Sequence, residues 1–184
     1  DSIQNKQQLA ELKVRLGNIY VELFDYARAR KEYEAGLQLA IENKNETDKA
    51  DLYGSLSYLY LMQGNNKVAK EYLDKIKTLC DSTNNATMIA SLYISYGNYY
   101  SRFFEMAMAL DYYRRADSIY LKEGDISNRI TCLNNIGNIY LTQRDNDKAL
   151  SYFAEGLKLS PRSGIINDLG LLWKLNASEA LFNK

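Results

Sequence analysis

The chain contains no histidine among its 184 residues. That absence removes Ser-His-Asp triads, Cys-His pairs and every His-ligated metal site from the available chemistries. Only two cysteines occur, Cys80 and Cys132, 52 residues apart and in no CxxC or zinc spacing. Isolated thiols on helices act as small hydrophobes. Pro161 is the single proline, so almost nothing forbids continuous helix. No apolar run approaches the ~20 residues needed to cross a bilayer. The first residues, Asp1-Ser2-Ile3-Gln4-Asn5-Lys6, hold no hydrophobic signal-peptide core. An excess of one charge is missing as well, because Lys+Arg and Asp+Glu both total 23. A neutral chain offers no surplus of cations for phosphates. Its basic residues (Arg28, Arg30 and Lys31; Arg114 and Arg115) are interleaved with acids, so nucleic acid is not an expected partner. There is no Gly-rich phosphate loop, and no cofactor or metal is expected.

What the chain does contain is a repeat. Leu16-Gly17-Asn18-Ile19-Tyr20 lines up with Leu56-Ser57-Tyr58-Leu59-Tyr60, then Tyr96-Gly97-Asn98-Tyr99-Tyr100 and Ile136-Gly137-Asn138-Ile139-Tyr140, each forty residues from the last. Twelve residues after each small residue comes an alanine: Ala29, Ala69, Ala109 and Ala149. Four further on stand Tyr33, Leu73, Tyr113 and Phe153, and three beyond those Gly36, Ile76, Ala116 and Gly156. Self-similarity at a fixed period decides the architecture before any local reading. Within each first segment the apolar residues recur at helical spacing, as in Leu133, Ile136 and Tyr140. Glycine inside a helix costs ~1 kcal/mol relative to alanine. A small residue kept at one phase therefore predicts a close approach of a second helix, with the recurring alanine as its opposite wall. Asp25, Asn65, Glu105 and Asp145 stand between the two segments as N-caps, Glu105 being the weakest of them.

These slots resemble the tetratricopeptide repeat, most clearly at Leu133, Ile136, Gly137, Tyr140, Ala149, Phe153 and Pro161. The resemblance covers roughly residues 10–161. It departs in its forty-residue period, longer than the family's, and at Ser57-Tyr58, which replaces Gly-Asn. It implies an all-α fold, a right-handed superhelical solenoid of antiparallel helical hairpins forming a single domain over residues 1–184. Four full repeats are expected at 6–45, 46–84, 85–125 and 126–161, with a partial fifth at 162–184. Helices are expected at 6–23, 26–43, 47–63, 66–80, 85–103, 106–122, 126–143, 146–159 and 162–175, Pro161 separating the last two. That ninth helix would be a fifth first-helix carrying Ile166, Leu169, Gly170 and Trp173. A tail too short to cover it suggests a fragment whose C-terminal edge frays or pairs with a second copy.

In such an array, by the same resemblance, the first helices line a concave groove. Helix phase sets Asn138 about 160° from the buried stripe of its repeat, with Asn134 and Thr142 beside it. The equivalent residues are Val14, Asn18 and Glu22; Gly54, Tyr58 and Met62; and Ile94, Asn98 and Arg102. Asparagine offers both a donor and an acceptor, so this set fits the backbone of an extended peptide. It fits equally well hydrogen bonds that stiffen the stack. Some members of the family grip a terminal carboxylate with a lysine at the slot held here by Val14, Gly54, Ile94 and Asn134, so that clamp is not expected.

The expected role is thus a protein-binding scaffold for an extended peptide or partner protein, and not an enzyme. The alternative is a structural adaptor. Arg114-Arg115-Ala116-Asp117-Ser118-Ile119-Tyr120 and Leu133 to Tyr140 resemble arrays of bacterial sensor and regulatory proteins. That resemblance implies signal transduction or transcription regulation, with an extracytoplasmic location slightly ahead of a cytoplasmic one. Three glycosylation-type triplets begin at Asn45, Asn85 and Asn176, but so short a pattern arises easily in an asparagine-rich chain.

Overall fold

One recurring turn closes every hairpin. A computed structural model of the chain describes residues 2–163, and among these every regular element is an α-helix. α1 (Ser2–Glu22) pairs with α2 (Tyr26–Glu42), and α3 (Glu46–Met62) with α4 (Asn66–Thr83). α5 (Ala86–Arg102) pairs with α6 (Met106–Glu123), and α7 (Ile126–Thr142) with α8 (Asn146–Ser163). The chain falls into two units, Asp1–Ser95 and Tyr96–Lys184, with the boundary inside α5. In the first unit α1 packs on α2, α2 on α3 and α3 on α4, and α1 also touches α3. In the second, α6 packs on α7 and α7 on α8.

Boundaries fall close to those predicted, with one correction. Pro161 was expected to separate two helices, yet α8 runs through it to Ser163. In the last turn a proline forgoes a single backbone bond and need not end the helix. Residues 162 and 163 therefore close α8 instead of opening a ninth helix. The expected fifth first-helix with Ile166, Leu169, Gly170 and Trp173, the short tail and the C-terminal edge all lie outside the described residues.

The turn economises on residues. Phe24, Gly64, Phe104 and Arg144 all take left-handed backbone conformations, forty residues apart. Each follows a first helix and donates its N–H three residues back, as Phe24 does to the Val21 carbonyl. The next residue donates to the carbonyl five back: Asp25 to Tyr20, Asn65 to Tyr60, Glu105 to Tyr100 and Asp145 to Tyr140. That is the Schellman way of satisfying the last carbonyls of a helix. The same residue then starts the next helix. Asp25, Asn65 and Asp145 accept from the backbone N–H three residues on. Glu105 makes no side-chain cap bond, its longer side chain being the poorer cap. Asn45 and Asn85, which open two of the glycosylation-type triplets, cap α3 and α5.

The small slots explain the hairpin's crossing. A Cβ added to Gly17 would lie closer than 3.0 Å to three atoms of the Tyr33 ring. Gly97 stands in the same relation to Tyr113, and Gly137 to Phe153. All three rings are buried. The expected opposite wall was alanine, but at these three positions it is the aromatic ring four residues further along the second helix. Repeat two shows the alternative. Leu73 stands in the ring's slot and Ser57 in the glycine's, both are buried, and the Ser57 hydroxyl donates to the carbonyl of Ala69 at 2.9 Å. Ring with glycine and leucine with serine are two solutions to one packing problem.

Around this contact the second helices bury Ala29, Ala69, Ala109 and Ala149 completely. Stacked tyrosines recur beside it: Tyr60 on Tyr72, Tyr100 on Tyr112 and Tyr140 on Tyr152, with ring centroids 5.8, 5.5 and 5.6 Å apart. Repeat one carries Glu32 in the second ring's place, paired with Lys13 at 2.6 Å. Between repeats in the second unit, Arg114 of α6 donates to the Tyr140 hydroxyl at 2.7 Å. Arg129 of α7, mostly buried, pairs with Asp117 of α6 and Glu155 of α8.

Exchanging one solution for the other makes a test. Gly137→Ser alone forces the Phe153 ring aside and should cost about 1–3 kcal/mol. Phe153→Leu alone leaves a cavity and should cost about 1–3 kcal/mol. Together they recreate repeat two, so the double variant should be more stable than the sum predicts by about 1 kcal/mol or more. Denaturant melts of the four chains measure this coupling, and strict additivity would contradict the packing described.

Candidate protein-interaction surface

The residues expected in the groove lie on the first helices of the hairpins. In the first unit, Val14 is half-buried on α1 and Asn18 and Glu22 are exposed. On α3, Tyr58 is 40% exposed and Met62 half-buried, while Ile94 is half-buried on α5. Because α1 touches α3, the Val14 and Tyr58 slots belong to neighbouring helices. The electrostatics agree with that proximity. Burial lifts the Tyr58 hydroxyl above the usual phenol range, with Tyr26 and Glu22 adding to the rise. Tyr33 is lifted further, by burial first and then by Tyr58 and Glu22. Both phenols therefore remain neutral hydrogen-bonding groups at physiological pH.

A cleft of about 200 Å³ opens beside Val14. Ala10, Val14 and Leu52 give it an apolar floor, and Glu11, Asp48 and Asp51 an acidic rim. Burial raises the Asp48 carboxyl above its ordinary range, with a smaller contribution from Glu11. Asp51 accepts from the Ser91 hydroxyl at 2.6 Å, tying α3 to the first half of α5.

In the second unit, Asn98 and Asn138 are half-buried, Arg102 and Thr142 exposed, and Asn134 only 8% exposed. Asn134 thus presents far less surface than a groove position implies, because α7 buries its flank along with Leu133 and Ile136. Thr142 turns its hydroxyl back to the Asn138 carbonyl at 2.9 Å.

Among the four groove asparagines, Asn18 and Asn98 accept a bond that sequence reading missed. The Tyr33 hydroxyl donates to Asn18 Oδ1, and the Tyr113 hydroxyl to Asn98 Oδ1, each at 2.7 Å. These are the same two rings that cover Gly17 and Gly97. Asn138 stands across from Phe153, which has no hydroxyl to give. The signal lay in the repeat register: the asparagine that follows the small slot is followed fifteen residues later by tyrosine in repeats one and three (Asn18 and Tyr33, Asn98 and Tyr113) and by phenylalanine in repeat four (Asn138 and Phe153). The stacked tyrosine pairs were equally readable from tyrosines forty residues apart in two registers.

The remaining chemistry is sparse. Burial pushes the thiols of Cys80 and Cys132 above their usual range, so neither is poised as a nucleophile. Among the described residues no cluster of three or more potential ligands could hold a metal ion, and no helix is long and apolar enough to cross a membrane.

Comparison with known proteins gives this arrangement its place. Two family models, both described as tetratricopeptide repeat, match residues 87–162 in one case and residues 10–40 and 50–82 in the other. No curated protein matches. Among solved structures, the chain is similar to a Signal Transduction ATPase with Numerous Domains (STAND) protein with a tetratricopeptide repeat sensor from Pyrococcus horikoshii. That match has 23% identity and a TM-score of 0.67, covering 96% of this chain and 28% of that one. The chain therefore spans little more than a quarter of that protein's length. BtubC from P. vanneervenii is similar at 15% identity and a TM-score of 0.63, covering 98% of this chain and 82% of that one. PilF from Pseudomonas aeruginosa follows at 18% identity and a TM-score of 0.53, covering 97% and 70%. At such identities the likeness speaks for the fold alone. With family models matching in both halves and the ring, glycine and alanine slots repeating at forty residues, the chain belongs to the tetratricopeptide repeat family.

Proposed function

We propose that the chain is a non-catalytic binding module that holds an extended peptide or partner protein along its first helices. Tetratricopeptide repeats mediate protein–protein interaction, and the geometry supports a finer reading in the first unit. The observation that carries it is the cleft between α1 and α3, where Ala10, Val14 and Leu52 lie beneath Glu11, Asp48 and Asp51. An apolar floor with an acidic rim suits a segment that offers backbone amides or a lysine or arginine side chain. The aliphatic stem would lie on Val14 and the charged head would meet the rim. Asn18 fits the same role with a constraint. Its carboxamide oxygen accepts from Tyr33, so its Nδ2 amide is the group best placed to donate to a peptide carbonyl.

The structural adaptor remains as a second reading because of the tyrosine–asparagine bonds, which give Asn18 and Asn98 work inside their own hairpins. The STAND protein with a tetratricopeptide sensor supports placing the module in a sensor or regulatory protein, in line with the sequence resemblance.

An arrayed library of fifteen-residue peptides tests the leading reading without a known partner. The chain should select peptides rich in lysine or arginine next to apolar residues. Glu11→Lys with Asp48→Lys should shift selection towards acidic peptides, with a melting temperature within a few degrees of the parent, since neither residue is in the core. An unchanged selection would remove the cleft from consideration. The adaptor reading has its own measurement. Asn18→Ala and Tyr33→Phe should each cost about 0.5–1.5 kcal/mol and together little more than either alone, because they break the same bond. If Asn18→Ala leaves stability unchanged, the asparagine's structural role is lost and peptide contact is all that remains for it.

A further inference from the structure

Repeat two departs from the others at one groove slot. Repeats one, three and four carry Asn18, Asn98 and Asn138 there, and repeat two carries Tyr58. Its neighbours Leu56, Ser57 and Leu59 are buried in α3, yet Tyr58 is 40% exposed. A half-exposed tyrosine offers an apolar ring face and a polar tip, the combination that interfaces favour.

Two groups of the first hairpin stand around that ring. Tyr26 opens α2, half-buried against the core cluster that holds Leu56 and Leu59, with its ring edge-on to Phe24 at 6.4 Å between centroids. Glu22 lies one turn beyond Asn18 on α1 and is exposed. Burial first, and then the proximity of Tyr26 and Glu22, hold the Tyr58 hydroxyl in its neutral form. Among the described residues Glu22 forms no ion pair. It closes α1, where a carboxylate opposes the helix dipole, so its charge does not serve that helix. A carboxylate beside phenol rings suits a cation, which the ring faces attract and the carboxylate neutralises. Arginine fits best, because a planar guanidinium can lie on a ring while its N–H groups meet the carboxylate.

The acidic cleft lies further back along the same two helices. Glu11 of α1 stands there with Asp48 and Asp51 of α3. Glu22 follows Glu11 by eleven residues, and Tyr58 follows Asp51 by seven. At ~1.5 Å per helical residue these separations are roughly 16 Å along α1 and 10 Å along α3. An extended peptide advances ~3.3 Å per residue and turns every second side chain to the same face. Side chains four residues apart therefore reach both places from one side of the peptide.

We infer that Tyr58, Tyr26 and Glu22 form a second subsite in the first unit, taking an arginine four residues from the basic side chain held in the cleft. The inference rests on the reading of the cleft proposed above and narrows it. The partner it describes is an extended segment with cations at i and i+4.

Fluorescence anisotropy with four labelled fifteen-residue peptides tests it. One carries a single arginine in an alanine–serine background, and the others carry two arginines placed two, four or eight residues apart. The three paired peptides have equal charge, so long-range attraction treats them alike. The parent chain should bind the four-apart pair about five- to tenfold more tightly than the other two pairs or the single arginine. Glu22→Gln and Tyr58→Asn should each remove that preference. Because Tyr58→Asn alters a half-buried ring, Glu22→Gln, a near-isosteric change at an exposed position, decides the matter if the former lowers the melting temperature. Pairs that bind the parent alike, or a four-apart preference that survives Glu22→Gln, overturn the inference. If Glu11→Lys with Asp48→Lys still abolishes binding, the cleft reading then stands without it. Peptides that bind that double variant as well as the parent overturn the cleft reading and the second subsite together, as does a lack of binding by all four.

Discussion

Each hairpin depends on an aromatic or leucine side chain laid across a stretch of helix that has almost no side chain beneath it. Placing glycine at positions 17, 97 and 137 costs the first helix about 1 kcal/mol each in propensity. Burying the ring of Tyr33, Tyr113 or Phe153 contributes about 1.5–3 kcal/mol, so the exchange favours the contact. It also fixes how closely and at what rotation the two helices cross, because the ring sits directly on the first helix's backbone. The alanine four residues earlier and the stacked tyrosines beside it fill the space this crossing leaves.

The same ring reaches the next residue of the first helix through its hydroxyl. Tyr33 and Tyr113 each end on an asparagine that the helical phase turns away from the core. In repeats one and three, then, the side chains available to a partner are not independent of the packing that builds the hairpin. Repeat four lacks this tie because Phe153 has no hydroxyl. Repeat two lacks it because Leu73 and Tyr58 replace both members.

The forty-residue period made the helices, hairpins and family legible, since each slot is constrained by the same geometry four times over. The identity of the glycine's partner was less legible. Small residues at 17 and 29 look equally suited to face one another, and only the three-dimensional crossing shows that residue 33 fills the gap. Pro161 misled for a related reason: a proline near a helix end is compatible with stopping it or with lying in its last turn. The surface was the least legible part. Helix phase placed Asn134 beside Asn138, but phase alone does not report that α7 is covered on that flank, where Leu133 and Ile136 are buried. The acidic rim at Glu11, Asp48 and Asp51 was invisible because it joins residues far apart in the sequence through the contact of α1 with α3.

Comparing the repeats with one another separates the scaffold from the surface. The slot at 29, 69, 109 and 149 is alanine every time, and the slot at 17, 57, 97 and 137 is always glycine or serine. The slot at 14, 54, 94 and 134 runs valine, glycine, isoleucine and asparagine, and that at 22, 62, 102 and 142 runs glutamate, methionine, arginine and threonine. Packing tolerates little at the first two, because a methylene too many forces helices apart. It imposes less on the last two: Glu22, Arg102 and Thr142 are exposed, although Val14 and Ile94 are half-buried and Asn134 is buried. Four copies of one backbone thus carry four different sets of side chains at these two slots.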